Sequence, residues 1–188
     1  MFKRPFLRYA LLSGLLAGLI CFGYFLLLYT TDALPLGTRR NIGLIFIWIC
    51  MALGVWQFGR AVRRPIQFLE AFLICVITVG LASALDSFLV VGFIKYVDPG
   101  MLPTFIAHIK QQALTDRATI DEQFGSNEKG KLIDYAELIR QIDRINLRSI
   151  FMANFSILRI VFSLLYSALI AVFFRRLSQS STEGISGI

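Results

Sequence analysis

The sequence predicts an all-α, polytopic membrane protein with four transmembrane helices and a helical segment outside the bilayer between the third and the fourth. Three observations lead there. Of the 188 residues, 56% are hydrophobic and only 16% charged, more apolar than a water-soluble core of this length requires. The apolar residues fall into four blocks of about 17 or more positions, the length that crosses a hydrocarbon core of roughly 30 Å. The basic residues gather at the ends of those blocks, where lipid headgroups lie and where they set orientation. The formal charge of +7 is accounted for by that placement, so nucleic acid is not an expected partner, and the lipid bilayer is.

The first span is expected at about residues 9–28, behind Lys3, Arg4 and Arg8. Its apolar run of about 20 residues exceeds the roughly 7 to 15 of a signal peptide, and no small-x-small cleavage site comes after it. The segment is therefore expected to stay in the mature protein. The second span, about 42–58, is at the short limit for crossing a bilayer and is bracketed by Asn41 and Arg60. Arg60, Arg63, Arg64 and Pro65 make a basic turn, and the third span begins after it, at about 68–94. Glu70 falls in its first turn, where a carboxylate suits the helix dipole. The fourth span, about 150–174, is closed by Arg175 and Arg176. Weighing those flanks against Arg39 and Arg40 in the first connection places both termini in the cytoplasm, with inner-membrane, multi-pass topology.

Residues 95–149 form the outer helical segment. Asp98-Pro99-Gly100 is a turn, after which Leu102, Phe105, Ile106, Ile109 and Ala113 repeat at helical spacing, with His108 off that face. A second amphipathic helix is expected from about Lys131 to Arg148, through Leu132, Tyr135, Leu138, Ile139, Ile142 and Ile145, running on into the fourth span. Between the two, Gly125 to Gly130 reads as a polar hinge. Residues 1–176 thus make one membrane domain, and 177–188, rich in Ser and Gly, a disordered tail.

Two ionisable residues lie inside the spans, Asp86 in the third and Arg159 in the fourth. Each is costly alone in lipid, by about 2.5 to 3.5 kcal/mol on insertion scales. They sit at similar depth on consecutive antiparallel helices, so they are a candidate intramembrane ion pair. Cys75, Val79, Ala82 and Ser83 share the face of Asp86, and Ser156, Ser163 and Tyr166 that of Arg159. Such a pair can simply fix helix register, or it can take part in a proton or ion relay. Gly14 and Gly18 form a GxxxG in the first span, a candidate helix-packing surface within the chain or between copies, and Ser163, Ser167 and Ala171 form a similar seam in the fourth.

Catalytic, cofactor-binding and metal-binding residues are not expected. Cys21, Cys50 and Cys75 lie inside apolar stretches without a CxxC pair and read as small buried hydrophobes. His108, the single histidine, has no partner at ligand spacing. HExxH, a phosphate-binding glycine loop and GxSxG are all absent from the sequence.

Leu11-Leu12-Ser13-Gly14-Leu15 behind a basic start, the basic second turn, Phe68-x-x-Ala71-Phe72, Tyr96-Val97-Asp98-Pro99 and the close from Ser167-Ala168-Leu169-Ile170 to Arg175-Arg176 form a pattern. In these the chain resembles an uncharacterised family of small four-helix membrane proteins, a domain of unknown function found mostly in Bacteroidota. The resemblance covers residues 5–176 and implies no activity. The sequence departs from that family's pattern at Arg159, where an apolar residue or glycine is expected. Two functions are therefore in view. One is a non-enzymatic accessory, assembly or envelope component acting through helix and outer-segment contacts with a membrane-protein partner. The other is a small homo-oligomeric transporter or channel using Asp86 and Arg159.

Overall fold

The structure is a computed structural model that describes residues 4–31, 34–62, 64–115 and 135–183. The expected hinge at 125–130, the beginning of the second amphipathic helix with Leu132, Arg63 and the end of the tail at 184–188 lie outside them. All regular structure among the described residues is helical: α1 Arg4–Thr30, a 3-10 turn Thr38–Ile42, α2 Gly43–Val62, α3 Phe68–Tyr96, α4 Met101–Thr115, α5 Tyr135–Asp143, α6 Leu147–Ala153 and α7 Ile157–Glu183. Four segments are long and apolar enough to cross a membrane, Phe6–Thr30, Arg39–Val62, Phe68–Tyr96 and Leu147–Leu177. Each contains one of the four expected spans and extends beyond it at one end or both.

The fourth segment differs from expectation in two ways. The second amphipathic helix does not run continuously into it. The chain leaves helix once after Asp143 and again at Asn154-Phe155-Ser156. The first break is fixed by a reciprocal cap, in which the Ser149 N–H donates to Asn146 Oδ1 at 2.9 Å and the Asn146 N–H to Ser149 Oγ at 3.5 Å. The second lies where the Asn154 side chain is taken up by Asp86 and Ser87 of α3 and by Arg159. In addition, α7 continues to Glu183, so the region expected to be disordered from Leu177 is helical over its first half. No glycine or proline interrupts 177–183, and extending an existing helix costs far less than starting one.

The chain divides into two compact units, residues 1–90 with 154–188, and residues 91–153. In the first unit small residues bring α1 against α3. A Cβ at Gly14 would lie 2.9 Å from Leu81 Cβ, and one at Gly18 2.9 Å from Leu85 Cβ. The GxxxG therefore packs within the chain, and the constant offset makes α1 and α3 parallel. Ser13 and Thr78, both buried, share a 2.7 Å hydrogen bond across the same seam. Gly54 of α2 meets them, since a Cβ there would fall 2.7 Å from Ser13 Oγ. Met51, Val55, Ile74 and Cys75 fill the core around this junction. On α7, Ser163, Ser167 and Ala171 are buried as a seam, and Tyr166 stacks on Trp48 of α2 with ring centroids 3.8 Å apart. At the other end of α3, Glu70 pairs with Arg64 and accepts from the Gln67 N–H at 3.4 Å.

The second unit keeps to its amphipathic pattern. Leu102, Phe105, Ile106, Ile109 and Ala113 of α4 are half-buried while His108 is exposed. α4 packs on α5, where Ile142 is buried and Lys110 pairs with Asp143 at 2.5 Å. The turn ahead of α4 closes through the Gly100 N–H, which donates to Asp98 Oδ1 at 3.1 Å.

Candidate functional site

The connection between α1 and α2 does not sit beyond the helix ends. Cys21 Sγ donates to the Gly43 carbonyl at 3.3 Å and Tyr24 Oη to the Arg39 carbonyl at 3.2 Å. The start of α2 therefore lies beside Cys21, while α1 runs on to Thr30. At 1.5 Å per residue that is about 14 Å of extra helix. The 3-10 turn thus dips alongside α1 and carries Arg40 down into the bundle.

There Arg40 meets Asp86. Its Nη2 lies 2.5 Å from Asp86 Oδ2, with side chains 14% and 9% exposed, and its guanidinium also faces the Phe25 ring at 5.9 Å. The same carboxylate oxygen accepts from Asn154 Nδ2 at 3.1 Å, and that amide also donates to Ser87 Oγ at 2.7 Å. Asn154 Oδ1 in turn accepts from Arg159 Nη1. The chain of contacts is Arg40, Asp86, Asn154, Arg159.

The expected partner of Asp86 is thereby corrected. Asp86 and Arg159 are brought into one cluster, but the cation on the carboxylate is Arg40, and Arg159 is held one side chain away by Asn154. The reason lies in the two irregular segments. The dip of the 3-10 turn delivers Arg40, and the break at 154–156 turns the Asn154 amide toward α3. Sequence reasoning misses both residues. In the sequence Arg40 is only a flanking charge, although a long arginine beside a short span can reach inward. Asn154 is visible there as the one amide in the fourth apolar stretch.

Two cavities border this cluster, both within the first unit. The smaller, about 10 Å3, is lined by Cys21, Arg40, Ser83, Asp86, Asn154 and Arg159. Asp86 Oδ1 is buried and accepts no hydrogen bond from the described residues. The larger, about 150 Å3, runs between α2, α3 and α7 from Asn154 and Arg159 to Ser163, Leu164 and Ser167, with Leu44, Ile47, Val76, Val79 and Gly80 along it. Ser83 and Arg159 line both. The arrangement can hold charge inside a low-dielectric bundle and presents one more cation than anion to the cavities.

A family model described as a protein of unknown function (DUF4199) matches residues 12–176. No curated protein and no solved structure matches the chain. The match takes in all four apolar segments save the beginning of the first and the end of the fourth, with Arg40, Asp86, Asn154 and Arg159 inside it. The chain therefore belongs to the DUF4199 family of proteins of unknown function.

Proposed function

We propose that the protein is a non-enzymatic accessory or assembly component of a bacterial inner membrane, with both termini in the cytoplasm, that acts by holding another membrane protein or a second copy of itself. The observation that carries this reading is the surface of the fourth apolar segment. Only 17% of its most apolar window is buried within the chain, against 33%, 39% and 33% for the other three. Ile157, Leu158, Val161, Leu165 and Leu169 all point out of the bundle. In lipid a helix gains little by burying apolar surface and associates by packing and polar contacts. The segment stacks Tyr166 on Trp48 of α2, buries its Ser163, Ser167 and Ala171 seam and is tied to α3 through Asn154, and the rest of its packing surface is uncommitted. The amphipathic helices α4 and α5 supply a second face for such a contact, and nucleic acid is not among the proposed partners.

The test is the native mass of the full chain extracted from its own membrane in mild detergent, with identification of whatever travels with it. A stoichiometric partner, or a dimer broken by bulky polar replacements at Leu165 and Leu169, supports the reading. A monomer with no companion refutes it. A second reading, a small homo-oligomeric transporter or channel, is favoured by the charged cluster beside a break in the fourth apolar segment, because interrupted helices and intramembrane charges are features of transport sites. Ion or solute flux in vesicles that disappears with Asp86→Asn would move the conclusion to it.

A further inference from the structure

The 150 Å3 cavity has a polar end and an apolar body. Arg159 and Asn154 stand at one end. From Arg159 the cavity tracks α7 to Ser167, eight residues or about 12 Å along the axis. Val76, Val79, Gly80 and Ser83 recur at helical spacing on α3 and form its opposite wall. Gly80 has no atom within 4 Å of where its Cβ would be, and Ile160 and Leu164 are 45% and 42% exposed. The cavity is thus a groove open along its side, within apolar segments that a bilayer would surround.

Charge decides what fits. Arg159 is the one charged residue lining the groove; Arg40 and Asp86 line the smaller cavity that shares Arg159 with it. Arg40 is taken by the carboxylate at 2.5 Å, and no acidic side chain among the described residues pairs with Arg159. A guanidinium in a low-dielectric site favours a charge-assisted, planar contact with an oxyanion. A 12 Å apolar groove with such a group at its head matches an extended chain of roughly eight methylenes behind an anionic group.

We propose that this groove binds one acyl chain of an anionic phospholipid that sinks into the bundle beside the helix break at 154–156, with its phosphate on Arg159 and Asn154 beside it. Gly80 is the floor that lets the chain lie against α3. Arg159, which contacts Asn154 and no carboxylate among the described residues, is the selectivity residue for the headgroup.

The test uses the full chain reconstituted in vesicles of equal parts phosphatidylglycerol and phosphatidylcholine. The protein is then extracted in mild detergent and its retained lipids counted by native mass spectrometry. Both lipids carry the phosphate, but the quaternary ammonium of phosphatidylcholine would stand beside Arg159, so the wild-type chain should keep one phosphatidylglycerol in preference to phosphatidylcholine by roughly tenfold. Arg159→Gln, which keeps a donor for Asn154, should bring the two lipids to parity. Gly80→Leu, which fills the groove where there is open space, should abolish retention of both. Each variant carries the test if the other does not fold. Equal retention of the two lipids by the wild-type chain, retention unchanged by Gly80→Leu, or a free fatty acid kept in place of phosphatidylglycerol would each overturn the proposal.

Discussion

Asp86→Asn keeps the shape of the side chain and removes the charge that Arg40 contacts at 2.5 Å. With only 14% and 9% of the two side chains exposed, the guanidinium left behind cannot return to bulk water, and losing one partner of such a pair costs about 3–5 kcal/mol. In an Arg40→Gln background no ion pair is left to break, and the same substitution should cost about 1 kcal/mol, the size of a neutral hydrogen bond. The coupling between Asp86 and Arg40 is then about 2–4 kcal/mol. Arg159 contacts Asn154 instead of the carboxylate, so its coupling to Asp86 should be roughly 1 kcal/mol, reduced by the intervening amide and the longer separation. At about 2–4 °C per kcal/mol for a chain of this size, the Arg40 cycle should differ from additivity by about 4–16 °C. The assay is thermal unfolding in mild detergent monitored with a thiol-reactive fluorophore. It is suited to this protein because Cys21, Cys50 and Cys75 are 8%, 3% and 0% exposed and react only when the bundle opens. An Arg159 cycle that couples as strongly as the Arg40 cycle would refute the assignment of the carboxylate to Arg40.

The packing leads to two further perturbations. Gly18→Ala should lower the melting temperature, because the new Cβ would sit 2.9 Å from Leu85 Cβ and 3.2 Å from the Ala82 carbonyl oxygen, an overpacking cost of about 1–3 kcal/mol. Gly23→Ala on the same helix meets nothing within 4 Å and should raise it by the roughly 0.5–1 kcal/mol that alanine gains over glycine in a helix; the same unfolding assay checks both, and shifts of one sign and size would contradict the α1–α3 seam. Lys110→Ala should change stability by no more than about 1 kcal/mol, because Lys110 and Asp143 are 33% and 54% exposed and an ion pair that wet contributes little. Dependence of the melting temperature on salt, compared between Lys110→Ala and the wild-type chain, measures it.

The spans are legible in the sequence because lipid imposes the strongest constraint there is, long blocks free of charge. Gly14 and Gly18 are legible as a close-packing surface, and the half-buried face of α4 keeps its 3.6-residue period. Asp86 and Arg159 stand out because a charge inside an apolar block has few innocent explanations. Their partners do not stand out. Arg40 lies in sequence at a span's edge, and only the Cys21 and Tyr24 hydrogen bonds, which hold the turn beside α1 instead of beyond it, bring it to the depth of Asp86. Asn154 breaks a helix that hydrophobic periodicity alone would continue. A short amide can trade backbone order for side-chain hydrogen bonds, and whether it does so depends on Asp86 and Ser87 being in reach. The helical residues after Leu177 escape a compositional reading for a related reason: composition speaks of average behaviour, while a long helix already formed recruits the residues beyond its expected end.

The contact chain also bears on how the protein is made. Synthesis runs from the amino terminus, so Arg40 is available 46 residues before Asp86 emerges. A carboxylate inside an apolar segment is a burden on insertion until it finds a cation, and this one arrives to find its cation already in place. Arg159 comes last and meets no waiting carboxylate of its own. It travels with Asn154, five residues ahead of it in the same segment, so the acceptor that shelters its guanidinium enters the bilayer first and the late-arriving charge need not search for a neighbour. Biogenesis could therefore proceed span by span, each charge handed to a ready partner, with the Asn154 amide closing the circuit only when the last helix docks.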